Sequence, residues 1–257
     1  MEISSYDQGE HVWLEVTAPD PTASVKFYTE LLGWDGQPIG AEPGHYTLFS
    51  KNGKPVAGLR GASGPGPADW LTYFAADDLD AVAKRAEEAG GTLVVPPKDI
   101  ASAGRMAVFT DSTGALFAAW QPGDHFGAAL RIEPGTYIAS ELGSSDLAKS
   151  KAFYSEVFGV GWGDNPAYAE AIAGGGFVYG AMPAEQYATF GRPQAADYWL
   201  VYFAATDVDA VVRKAVELGA SVLLDTTTNH LDQQYAILRD PQGATFGLNT
   251  PPSRYRN

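Results

Sequence analysis

The sequence predicts an α+β protein of two tandem domains, each made of two β-α-β-β-β modules that curve around a cleft. Three observations carry this expectation. First, "EVTAPDPTASVKFYTELLG" (15–33) returns as "ELGSSDLAKSKAFYSEVFG" (141–159), an offset of 126. Second, "YFAADDLDAVAKRAEEAGG" (73–91) returns as "YFAATDVDAVVRKAVELGA" (202–220) at an offset of 129. That offset runs on without a gap into "DSTGALFAAWQ" (111–121) and "DPQGATFGLNT" (240–250). Third, strand-like alternation and helix-like stripes follow one another in the same order in both copies.

Taken in order, residues 11–17 alternate as a strand, with Val12, Leu14 and Val16 on one side and Trp13, Glu15 and Thr17 on the other. Asp20 is an N-cap for a helix whose Phe27, Tyr28, Leu31 and Leu32 form an apolar stripe that stops at Gly33. Asp146 does the same for Phe153, Tyr154, Val157 and Phe158. Asp78 opens a helix with Leu79, Val82, Ala86 and Ala89 inward and Gly90 at its end; Asp207 opens its counterpart, with Val208, Val211, Ala215 and Leu218 inward. "NGKPVAGL" (52–59) and "GGGFVYGA" (174–181) are paired middle strands. The last strands place Phe117 on one face and Leu116, Ala118 and Trp120 on the other; in the second copy Phe246 and Leu248 oppose Thr245, Gly247 and Asn249. "PGDHFGAALRIEPG" punctuates the join, so the expected division is domain 1–122, linker 123–134 and domain 135–257.

Composition narrows the function. The chain has 257 residues, 45% hydrophobic and 19% charged, enough to bury a real core. A formal net charge of −14 argues against nucleic acid and anionic membranes as partners. No apolar run approaches a membrane span, and "MEISSYDQGEHVW" has no signal-peptide character, so a cytoplasmic protein is expected. The absence of cysteine removes disulfides, thiolate metal sites and a Cys nucleophile. "GASGPGPAD" (61–69) lacks the ending of a phosphate loop, and "PAEQYATFGRPQAAD" (183–197) reads first as a plain surface connection, with a lid closed by Tyr187 and Phe190 as the alternative.

This module order, with "FYTELLGW", "NGKPVAGL", "GRMAVFTDSTGALFAAWQ" and their second-half echoes, resembles the vicinal oxygen chelate superfamily of glyoxalases, extradiol dioxygenases and bleomycin-resistance proteins. The likeness is to its tandem, two-domain actinobacterial type. The resemblance implies metal-ligand positions at Trp13 and Ala139 on the first strands, about Leu71 and Leu200 on the fifth, and Ala118 and Gly247 on the last. None of these side chains ligates a metal. The four histidines, His11, His45, His125 and His230, are scattered and read as solvated or core residues, with His11 a register shift away from the cleft. No metal and no cofactor are therefore expected.

The cleft is instead expected to present Trp13, Glu15, Tyr73 and Trp120 over Leu116 and Ala118 in half one, and Glu141, Tyr202, Thr245 and Asn249 in half two. Two readings follow. In one, Trp13, Tyr73 and Trp120 stack on a small hydrophobic aromatic natural product, with Glu15 or Glu141 facing an amine if the ligand carries one. In the other, Glu15 or Glu141 is the acid or base of a metal-independent enzyme, with Tyr73 or Tyr202 donating a hydrogen bond. Alternatively the two carboxylates are structural, held by backbone donors or by an arginine such as Arg105. Half one is the expected occupied side; a homodimer stays open.

Overall fold

The structure is a computed structural model that describes residues 1–39, 46–64, 66, 68–163, 168–173, 176–183, 197–229 and 231–252. Half one runs β1 (His11–Ala18), α1 (Pro21–Leu32), β2 (Asp35–Ile39), β3 (Tyr46–Lys51), β4 (Lys54–Gly61), β5 (Asp69–Ala75), α2 (Leu79–Glu88), β6 (Thr92–Ile100), β7 (Gly104–Thr110) and β8 (Leu116–Pro122). Half two repeats the order as β9 (Tyr137–Ser144), α3 (Leu147–Phe158), β10 (Gly161–Trp162), β11 (Ala169–Ala173), β12 (Gly176–Pro183), β13 (Tyr198–Ala204), α4 (Val208–Glu217), β14 (Ser221–Thr228), β15 (Gln234–Arg239) and β16 (Thr245–Asn249). Each half is one eight-stranded sheet, ordered β2-β3-β4-β1-β5-β8-β7-β6 and β10-β11-β12-β9-β13-β16-β15-β14. The modules of a half meet where their first strands pair antiparallel, β1 with β5 and β9 with β13.

The helix boundaries follow the predicted chemistry. Asp20, Asp78, Asp146 and Asp207 each accept a backbone N–H from three residues on, closing the first turn. Gly33 and Gly159 end α1 and α3 at φ 69° and 76°, a left-handed conformation that a Cβ disfavours. Among the described residues, no helix is long and apolar enough to cross a membrane.

The core is shared between the halves. Leu14, Val16, Phe27, Tyr28, Trp34 and Phe49 of the first module pack with Val201, Phe203, Val208, Leu238, Phe246 and Leu248 of the fourth. Phe74, Leu79, Val82, Phe109 and Phe117 of the second pack with Phe153, Tyr154, Val157 and Tyr179 of the third and with Trp199 at the start of the fourth. Two matched hydrogen-bond relays cross this interface. Trp70 Nε1 donates to Tyr28 Oη (3.0 Å), which donates to Asp240 Oδ2 (2.8 Å). Trp199 Nε1 donates to Tyr154 Oη (2.9 Å), which donates to Asp111 Oδ2 (3.0 Å). The other oxygen of each aspartate accepts backbone N–H groups of its own turn, Thr113, Gly114 and Ala115 for Asp111, and Gln242 and Ala244 for Asp240.

One predicted facing is corrected. Register slips between His11 and Trp13 on β1, so Val12 joins Trp13 on the outward face while His11 turns inward. The shift thus carries His11 away from the cleft, not into it. The same slip on β9 turns Tyr137 inward, and the two rings, equivalent by the repeat, stack at 3.7 Å with 10° between their planes. Arg131 lies 4.9 Å from the Tyr137 ring centroid.

Tyr28→Phe and Tyr154→Phe should each destabilise by about 1–3 kcal/mol, because each strands a buried carboxylate oxygen and an indole N–H. The pair should be nearly additive, since the relays share no partner; urea unfolding checks both. Burial, then the Arg131 charge, pushes the His11 pKa well below 6.5. The unfolded chain thus binds the proton that the folded chain refuses, and stability falls as pH drops below that value. His11→Phe, which keeps the stack, should lose less stability than the parent between pH 7 and pH 5.

Candidate functional site

With both helical layers turned inward, the two concave sheet faces look outward, one on each half. In half one, Trp13, Glu15 and Thr17 come from β1, Tyr46 from β3, Arg60 from β4, Leu71 and Tyr73 from β5, Met106 and Val108 from β7, and Ala118 and Trp120 from β8. Tyr46 can lie across the sheet because Gly58 stands beside it; a Cβ there would overlap the phenol hydroxyl. Gly180 makes the same room for Tyr168 in half two, and Gly247 for Tyr202.

The predicted aromatic box is assembled but covered. The segment after β8 folds back: Ala128 N donates to Val12 O (2.9 Å), and Trp120 Nε1 donates to His125 O (2.9 Å). The His125 ring meets Trp13 edge-on at 4.7 Å. Trp13, Tyr73 and Trp120 are left only 5%, 3% and 7% exposed, and Ala118 is fully buried. Further along the sheet the face holds a cavity of about 280 Å³. Thr17, Leu71, Val95, Met106, Val108 and Leu116 line it, with Arg60, Lys98 and Asp69 as its charged groups. Of the predicted ligand residues only Leu116 lines this cavity.

Glu15 lies behind that wall, 5% exposed. Arg60 Nη2 stands 2.9 Å from its Oε1. Arg105, the partner weighed from sequence, is instead bound to Asp80 and Asp99. Desolvation raises the Glu15 pKa; the Arg60 charge, then the hydroxyls of Tyr46 and Tyr73, oppose that rise without cancelling it. Trp13 Nε1 donates to Tyr46 Oη (3.2 Å), and burial pushes the Tyr46 and Tyr73 pKa values up, keeping both phenols protonated.

Half two repeats the plan with different chemistry. Glu141 Oε1 accepts from Tyr168 Oη (2.9 Å). Tyr202 packs with Ile138, Tyr198, Leu200 and Ile237, Thr245 is buried, and Asn249 is half-buried at the end of β16. Tyr202 therefore belongs to a separate outward face and cannot serve Glu15. Met182 takes the ladder position of Arg60, each two residues beyond the glycine paired with the module's glutamate. Thr227 takes that of Lys98, opposite Tyr235 as Lys98 is opposite Met106. His45, His230, Tyr187 and Phe190 lie outside the described residues.

The positions that would hold a metal by resemblance do not fit one. Trp13, Leu71 and Ala118 lie together on one face, as do Ala139, Leu200 and Gly247 on the other, and none offers a ligating atom. Among the described residues no three His, Cys, Asp or Glu side chains cluster.

Arg60 and Lys98 were missed from sequence. Arg60 sits one residue past "NGKPVAGL", on the same strand face as Gly58, so alternation extended by two positions finds it. Lys98 lies on β6 beyond two register slips against β7, which period-two counting does not follow.

Two eight-stranded sheets joined through their helical layers define a tandem α+β protein of the glyoxalase architecture. The chain belongs to the Glyoxalase/Bleomycin resistance protein/Dioxygenase superfamily, whose sequence pattern matches residues 11–119 and 136–248. It is 36% identical to CFP32 of Mycobacterium tuberculosis (strain CDC 1551 / Oshkosh), which carries a provisional glyoxylase name, over 96% of this chain and 97% of that one. It is 35% identical to the anthracycline biosynthesis protein DnrV of Streptomyces peucetius, over 96% and 94%. In structure it resembles the Mn(II)-bound glyoxalase of Novosphingobium aromaticivorans, with TM-score 0.67 and 18% identity over 96% of this chain and 83% of that one.

Arg60→Met, which copies the half-two residue, should lower the melting temperature more at pH 8 than at pH 5, since the ionised Glu15 then loses its counter-charge. Adding Glu15→Gln should remove the pH dependence of that difference.

Proposed function

We propose that the half-one cleft binds a flat, largely apolar aromatic small molecule, without a metal ion. The cavity carries this reading: apolar walls of Leu71, Val95, Met106, Val108 and Leu116 with a few charged groups at fixed places. Small-molecule sites have that composition, and about 280 Å³ falls just below their usual size range, room for a small planar ligand. The relatives DnrV and DauV, both named as anthracycline biosynthesis proteins, support an aromatic natural product as the ligand class. The family's metal positions, filled by Trp, Leu and Ala in this cleft, support binding that needs no metal. Half two, with Glu141, Tyr202 and Asn249, acts as scaffold in this reading.

A second reading is favoured by Glu15 itself. A buried carboxylate with a raised pKa, beside two protonated phenols, is suited to acid–base work near neutral pH, so the cleft could isomerise or cyclise its ligand.

Tryptophan fluorescence titration against planar polycyclic aromatics tests the first reading; saturable quenching is expected, and none across the panel would overturn it. Val108→Phe should fill the cavity and weaken binding about tenfold or more, with circular dichroism checking the fold. Glu15→Gln separates the readings: turnover lost with binding kept indicates catalysis.

A further inference from the structure

We propose, resting on the half-one cleft reading, that the ligand carries an ionised acidic oxygen such as a carboxylate or acidic enol. Docking that oxygen on Arg60 and Lys98 draws Arg60 away from Glu15, which takes up one proton from solvent. The placement of Arg60 is the starting point. Its guanidinium contacts Glu15 at 2.9 Å, yet the side chain is 43% exposed and forms part of the cavity wall. Its Nε is buried with no hydrogen-bond partner, so one strong donor is unused. Lys98 lines the same cavity and has no ion-pair partner among the described residues.

The charges around the cavity favour an anionic ligand. Among the described residues, Arg60, Lys98 and Asp69 line the cavity and Glu15 lies behind Arg60, two charges of each sign. An ammonium would have to approach two cations at the wall, with Glu15 screened behind Arg60 and Asp69 as the one carboxylate on the described lining. An acidic oxygen is attracted to both cations but leaves the site one negative charge in excess. A new O–H bond on Glu15 removes that excess without bringing in a counter-ion. Burial already holds this carboxyl towards its protonated form, and Arg60 is the largest influence against it. Losing Arg60 to the ligand therefore favours protonation. Among the described residues the groups facing Glu15 are Arg60 from β4, Tyr46 from β3, Tyr73 from β5 and Lys98 from β6. Half two has Met182 and Thr227 at the two cation positions, so the preference is confined to half one.

Calorimetric titration at pH 6.5 with anthraquinone-2-carboxylate, its neutral carboxamide and 2-aminomethylanthraquinone tests the proposal, repeated in buffers of different ionisation enthalpy. The carboxylate should bind about tenfold or more tighter than the amide, with uptake of about one proton. Glu15→Gln should bind the carboxylate at least as tightly with no uptake, and Arg60→Met should bring carboxylate and amide to similar affinity. Saturable carboxylate binding without proton uptake, uptake that persists in Glu15→Gln, or tighter binding of the ammonium probe would overturn this inference and leave the cleft reading standing. Failure of all three probes to bind the parent protein would overturn both.

Discussion

The structure depends on a buried hydrogen bond made twice, from a helix tyrosine in one half to a turn aspartate in the other. Tyr28 reaches Asp240 and Tyr154 reaches Asp111, each capped by an indole N–H from the neighbouring strand. The aspartate divides its oxygens, one shaping its own turn and one accepting across the interface. This is why the Asp-x-x-Gly turn and the strand after it occur in both halves. The turn organises the last strand of its own sheet and presents an acceptor to the other sheet's first helix. In an apolar setting such a pair is costly to break on either side, so the halves are held in one relative orientation.

That orientation decides what the remaining surfaces can do. Each helical layer is closed by the opposite half, and the stacked His11 and Tyr137 mark the centre of the repeat. The two outward faces share no side chain among the described residues, so each is free to diverge. Half one has Arg60 and Lys98 where half two has Met182 and Thr227. The glutamate, the phenol beside it and the glycine that makes room for the phenol are kept in both. A common frame with unlike clefts suits a protein in which one copy recognises a ligand and the other supports it.

Much of this was legible in the residue order. The repeat offsets, the four capping aspartates and the inward stripes of α1 to α4 follow from local rules, since caps and periodicity act over a few residues. The inward facing of Leu14, Val16, Phe117, Phe246 and Leu248 followed from alternation and holds. Val12 and His11 did not follow, because a single bulge inverts parity for everything before it.

The sequence by itself determined two α+β domains of paired modules, their elements and the absence of ligating side chains at the metal positions, because composition, spacing and alternation are local properties of the chain. Only the tertiary structure decided that the cores lie between the halves, that the linker covers Trp13 and Trp120, and that Arg60 is the partner of Glu15. Those outcomes depend on which distant surfaces meet, and a side chain's neighbours across a sheet or an interface leave no trace in its own periodicity.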